Sequence, residues 1–168
     1  MSEGSIALAL GSNLGDREGH LERGLASLGA RGVETLARSA IYETEPVGGP
    51  PQGPYLNLVA LVRTDLDPDE LLRAGLAGEA EAGRVRTVRD APRTLDVDIL
   101  FFGDIVRRTR GLVLPHPRLH ERPFVLVPLA EVAPRWRHPV LGLTAAEMLA
   151  RVADRSAVER WTRPVPAR

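Results

Sequence analysis

The chain has 168 residues, 43% of them hydrophobic, with a formal net charge of zero and no cysteine. That length suits one compact domain spanning 1–168, and the missing cysteines exclude disulfides, thiolate metal sites and a cysteine nucleophile. All 22 basic side chains are arginines, so phosphate can be gripped only by guanidinium forks or backbone amides, and a lysine-bearing P-loop is excluded.

The first residues, Met1 to Leu14, lack the basic start and long apolar run of a signal peptide. No stretch reaches the roughly 18 apolar residues needed to cross a bilayer. A soluble, cytoplasmic protein is expected, with neither membrane nor nucleic acid as a partner, since zero net charge gives no general attraction to either. Ile6 to Leu10 is a short apolar run ending in Gly11-Ser12-Asn13, which predicts a buried strand entering a turn. Asp16 is placed to cap a helix bearing Leu21, Leu25 and Leu28, closed by Gly29 to Gly32. Val33 to Tyr42 predicts a second strand, and Thr44 to Pro54, rich in Pro and Gly, a loop. A third strand is expected over Leu56 to Val62. Asp67 as N-cap with Pro68 at the first helical position then opens a helix carrying Leu71, Leu72 and Leu76.

An arginine-rich loop, Gly83 to Arg93, leads into Leu95 to Phe102, which predicts a strand at the centre of the sheet. A small hairpin follows over Ile105 to Leu114. Helices are expected over Arg122 to Val132 and over Thr144 to Val152, capped by Thr144, with a loose tail beyond Trp161. The order strand, helix, strand, strand, helix, strand is the split βαβ pattern of a ferredoxin-like α+β sandwich, an antiparallel sheet with helices on one face.

Chemistry concentrates in PRTLDVDIL, Pro92 to Leu100. Side chains alternate along a strand, so Asp96 and Asp98 share one face, about 7 Å apart along the chain, while Leu95, Val97 and Ile99 face the core. Oxygen-only ligands of this kind suit Mg²⁺, which keeps several waters and completes its shell with nucleotide phosphates. Taken alone, the pair also fits two solvated acids on an exposed sheet face. Arg84, Arg86, Arg89 and Arg93 lie just upstream in a Gly- and Pro-containing loop, as transfer from a polyphosphate would require, because positioning and charge neutralisation carry most of that chemistry. Rings are scarce, at 4% of residues. Tyr55 and Phe124 could enclose a flat heterocycle whose edge Asn57 would hydrogen-bond, or they could be core residues; sequence alone does not separate the two. His116, in LPHPRLHERPF, could bind phosphate or metal, act as an acid, or be structural. His20 and His138 have no motif around them and are expected at the surface. Trp136 and Trp161 are expected to pack.

Six segments resemble one family in its own order: ALGSNLGDR (Ala9 to Arg17), YETEPVG (Tyr42 to Gly48), PYLNLV (Pro54 to Val59), GRVR (Gly83 to Arg86), PRTLDVDIL, and LPHPRLHERPFVLVPLAEVAP (Leu114 to Pro134). That family is the 6-hydroxymethyl-7,8-dihydropterin pyrophosphokinases of folate biosynthesis, and the resemblance covers about residues 5 to 135. It implies that Asp96 and Asp98 hold two Mg²⁺ ions around ATP. It also implies that Arg84, Arg86, Arg89, Arg93, His116 and Arg122 bind ATP, Arg84 and Arg93 among them acting in catalysis. Thr44, Val47, Tyr55, Asn57 and Phe124 would bind the pterin. The substrate's hydroxymethyl oxygen would attack the β-phosphorus and AMP would leave, in a monomer able to associate with other folate-pathway enzymes. Where the family places an aromatic and then Gly, this chain has Asp90 and Ala91, so a weaker seal of the closing loop is expected. An impaired pterin- or nucleotide-binding module is the alternative. An RNA-binding ferredoxin-like domain ranks last, because Asp96 and Asp98 would repel a phosphate backbone.

Overall fold

The computed structural model describes residues 5–46, 48–85, 88–153 and 158–167; Val47 and Arg86, both named above, lie outside them. The helix start signals hold. Asp16 accepts from the Gly19 N–H to open α1 (Arg17–Ala30). Asp67 forms a full capping box with Glu70 ahead of α2 (Pro68–Glu81), and Thr144 forms one with Glu147 ahead of α4 (Ala145–Arg151). Between the last two, α3 (Pro123–Val132) begins on Pro123, where a missing N–H costs nothing.

Six strands form one antiparallel sheet. Strand β1 (Ile6–Ser12) lies between β4 (Tyr55–Arg63) and β5 (Asp96–Phe102). The expected strand over Val33 to Tyr42 is two strands, β2 (Glu34–Arg38) and β3 (Tyr42–Thr44), which pair with successive stretches of β4. Ser39 makes the break: it is buried, its N–H bonds the Val59 carbonyl, and its hydroxyl accepts from the Val59 N–H, a role a ladder carbonyl would otherwise fill. The hairpin is present as β6 (Arg107–Arg108) and β7 (Val113–Leu114). The tail beyond Trp161 has no regular structure, but just before it β8 (Val158–Arg160) pairs with β3, a strand the sequence reading missed.

Two expectations need correction. Strand β5 is at the edge of the sheet, not its centre. Its outer polar groups are met by other partners: the Val97 N–H by the Glu79 carboxylate, the Leu95 carbonyl by Arg84, and the Leu100 carbonyl by the His116 N–H. Helices cover both faces of the sheet, not one. Leu8, Leu10, Leu58 and Ile99 pack with α1 and α2, while Ala7, Val59, Leu100 and Phe101 pack with α3 and α4. Two cores are required because β1 and β4 are apolar on both faces, and each face must be covered. Leu100 is skipped in the β1–β5 register, where Ala7 opposes Phe101 and Leu8 opposes Ile99. This bulge puts Leu100 and Phe101 on one face, and the Phe101 ring stacks on Trp136 at 3.8 Å between centroids.

Candidate active site

The register sets the floor of the site. Asp98 opposes Ala9 and Asp96 opposes Gly11 on β1, and across β1 these two meet Val59 and Asn57 of β4. The second face of the sheet therefore passes from core, at Val59, to an open polar row of Asp96, Gly11 and Asn57. Above it lies a cavity of about 500 Å³. Gly11 keeps the row open, since a Cβ there would stand 2.9 Å from Asn57 Oδ1 and 3.5 Å from the Tyr55 ring.

One side of the cavity is built by the Pro/Gly loop and its flanking strands. Buried Thr44 accepts a 2.8 Å hydrogen bond from Asn57 Nδ2 through its hydroxyl, which fixes the amide so that Oδ1 lies over Gly11. Tyr55 lines the same side, half-buried, and burial raises its phenol pKa above the ordinary value. Across the cavity stand His116, Arg122 and Phe124, with the Arg122 guanidinium 5.5 Å from the centre of the Phe124 ring. Burial holds His116 down at about 4, helped by the neighbouring Arg122 charge, so the ring is neutral at physiological pH. Its Nδ1 accepts from the Arg118 N–H, which leaves the proton on Nε2. Burial, then the Arg118 charge, lowers the pKa of Arg122.

The carboxylates differ from each other. Asp98 is pushed up to about 7, first by burial, then by the negative charges of Asp96 and Glu79. Both oxygens of Asp96 are covered by arginine: Arg84 Nη1 reaches Oδ1 at 2.9 Å and Arg93 Nη1 reaches Oδ2 at 3.3 Å. Arg93 lines the cavity. Arg84 lies behind it, bound also to buried Glu79 and to the Leu95 carbonyl. Arg89 reaches the cavity rim but points largely into solvent.

Asn13, Gln52 and Glu79 carry structure here that the sequence reading did not assign. Buried Asn13 exchanges backbone and side-chain hydrogen bonds with Arg93, and its Nδ2 donates to Gln52 Oε1 and the Gly53 carbonyl. Gln52 Nε2 in turn donates to the Asp90 carbonyl at 2.8 Å. Asp90, with φ of 57°, thus docks against the Pro/Gly loop, so close to Gly49 that a Cβ there would clash with its carbonyl. Asn13 stands in the GSN segment, which was a signal without a role. Glu79 gave none, because only the fold brings the end of α2 to β5. His138, expected at the surface, is buried beside Trp136 and accepts from the Val140 and Leu141 N–H groups.

Among the described residues no group of three or more His, Cys, Asp or Glu could enclose a metal ion. Asp96 and Asp98 supply oxygen from one side only. That donor set fits a hard cation sharing its shell with water and phosphate oxygens, and does not fit a protein-enclosed ion.

A model of the family described as 7,8-dihydro-6-hydroxymethylpterin-pyrophosphokinase (HPPK) matches residues 7–134. The 2-amino-4-hydroxy-6-hydroxymethyldihydropteridine pyrophosphokinase of Bacillus subtilis is 48% identical over 126 residues, 74% of this chain and 75% of that protein. The enzyme of the same name from Methylorubrum extorquens is 43% identical over 154 residues, 91% of this chain and 96% of that one. Folic acid synthesis protein fol1 of Pneumocystis carinii is 35% identical over 150 residues, 89% of this chain but 20% of the larger protein. In fold the chain is similar to a Plasmodium falciparum HPPK-DHPS crystal structure, with a TM-score of 0.69 at 15% identity, covering 88% of this chain and 44% of that one.

Proposed function

The chain belongs to the 7,8-dihydro-6-hydroxymethylpterin-pyrophosphokinase family, which transfers pyrophosphate from ATP to hydroxymethyldihydropterin in folate biosynthesis, and on that premise we propose how its own cavity performs the transfer. The carrying observation is the shared face of Asp96 and Asp98 at the floor of a cavity with unlike sides. Asn57, Thr44 and Tyr55 form a flat, hydrogen-bonding side suited to a pterin, with Phe124 as the facing ring, and Val47 is proposed to take part in the same binding. Arg93, Arg122 and His116 form a cationic and donor-rich side suited to a triphosphate.

On this reading Asp96 and Asp98 hold two Mg²⁺ ions together with ATP. The ions would supply charge neutralisation at the transferring phosphoryl groups and polarise the attacking hydroxyl. The chain's residues do the rest. Asn57 fixes the pterin so that its hydroxymethyl oxygen points at the β-phosphorus. Arg93 and Arg122 orient the phosphates, and neutral His116 donates from Nε2. Arg89 at the rim and Arg84 behind the floor add positive charge, a part proposed for Arg86 too. The pterin oxygen bonds to the β-phosphorus and loses its proton to solvent, the bond from that phosphorus to the α-bridging oxygen breaks, and the electron pair leaves with AMP. No covalent enzyme intermediate is involved.

The same proposal holds the 168 residues to be one pyrophosphokinase unit, monomeric and cytoplasmic. Among the described residues no helix is long and apolar enough to cross a membrane. Association with other folate enzymes is supported by relatives that carry this unit within much longer chains. Steady-state kinetics test the division of the cavity. Arg122→Ala is expected to raise the KM for ATP by about tenfold or more while leaving the pterin KM near its parent value, and Asn57→Ala to do the reverse. Equal effects of each variant on both substrates would overturn the assignment.

A further inference from the structure

Glu79 is a buried carboxylate, only 3% exposed, on the last turn of α2. One oxygen of Glu79, Oε1, accepts from both the Val97 N–H and Arg84, and Arg84 itself is 10% exposed at its side chain. Arg84 divides its Nη1 between Glu79 and Asp96, while Arg93 takes the other oxygen of Asp96. Asp96 also lines the cavity, so a cation that takes it competes with both guanidiniums for the same two oxygens. Arg93 already lines the cavity and can turn toward whatever occupies it. Arg84 does not, and a buried guanidinium stripped of its only carboxylate is strongly penalised.

We propose that Glu79 is a positioning residue, which keeps Arg84 paired when a divalent cation takes Asp96, so that metal loading strands no buried charge. Arg84 and Arg93 hold the two Asp96 oxygens that the cation would share. With a cation on Asp96, Arg84 would remain paired with Glu79 behind the floor of the cavity. The inference rests on the reading of Asp96 as a metal ligand. A purely structural Glu79 would only tie α2 to β5 through Val97.

The experiment is a titration of the full chain with Mn²⁺ alone, without nucleotide, following free Mn²⁺ by electron paramagnetic resonance. Glu79→Gln keeps an oxygen for the Val97 N–H and removes the charge, and is expected to weaken Mn²⁺ binding roughly tenfold. In an Arg84→Met background the same change should have a smaller further effect, because the guanidinium that Glu79 is proposed to hold is gone. Arg84→Met by itself should tighten Mn²⁺ binding, since it uncovers Asp96, and it serves if Glu79→Gln fails to fold. Glu79→Asp, shorter but charged, should recover part of the affinity, whereas a structural tether would be broken by the shortening. An equal loss in both backgrounds, or no loss, overturns the role of Glu79, as does weaker binding in Arg84→Met. If Mn²⁺ binds but is indifferent to Asp96→Asn, the metal reading itself falls; if no Mn²⁺ binds, Asp96 takes no cation without nucleotide and this inference about its loading is overturned.

Discussion

At the scale of single residues, the smallest side chain in the site does as much as the charged ones. Gly11 stands between Asp96 and Asn57 in the β-ladder, and its lack of a Cβ leaves the floor open where the two substrates would meet. Gly11→Ala is expected to push Asn57 off its bond with Thr44 and weaken pterin binding by about tenfold, while circular dichroism stays unchanged. Undiminished pterin affinity in a titration would contradict this role. Asp96, Asp98 and Asn57 were legible because a strand's two-residue period needs no tertiary information. Their neighbours were not. Glu79 lies 17 residues before Asp96 in the chain (96 minus 79) and only the docking of α2 brings it near. His138 was misjudged because its buried partners are backbone amides of a loop that leaves no pattern in the sequence.

At the scale of elements, β5 carries a built-in conflict. Its fully apolar second half anchors it in both cores, while its first half places two carboxylates on one face. Burial raises Asp98 from its ordinary value to about 7. A carboxyl raised in this way contributes stability that is fully present below its unfolded value near 4 and lost as pH rises through about 7. Without metal, Asp98→Asn is therefore expected to melt above the parent at pH 8, with the gap closing as pH falls from about 7 toward 4. A gap independent of pH would contradict the conflict. The edge position of β5 escaped the sequence because its outer groups are satisfied by side chains and a loop, not by another strand, so its composition imitates a central one. The capped starts of α1, α2 and α4 were legible because caps are local. The short β8, with residues Val-Glu-Arg, offers no period to read.

At the scale of the molecule, the two cores explain where the site lies. Helices α1 and α2 cover one sheet face over β1, β4 and β5, but α3 and α4 cover only part of the other, so the polar row of Asp96, Gly11 and Asn57 remains open beside the start of α3. The split βαβ order was recognisable from the alternation of elements, whereas the second helical layer was not inferred, although the continuous apolar runs of β1 and β4 signal a sheet covered on both faces. Asn13 and Gln52 then join the Pro/Gly loop to the arginine loop, so both sides of the cavity are held to one point at the end of β1.

The most direct test of the account is release of AMP from ATP and Mg²⁺, with and without 6-hydroxymethyl-7,8-dihydropterin, by the parent chain and by an Asp96→Asn, Asp98→Asn variant. The account predicts pterin-dependent AMP from the parent, a loss on the order of 10³-fold or more in the variant, and an unchanged fold in both. AMP formed at comparable rates by the variant, or none from the parent despite demonstrable binding of both substrates, would contradict it.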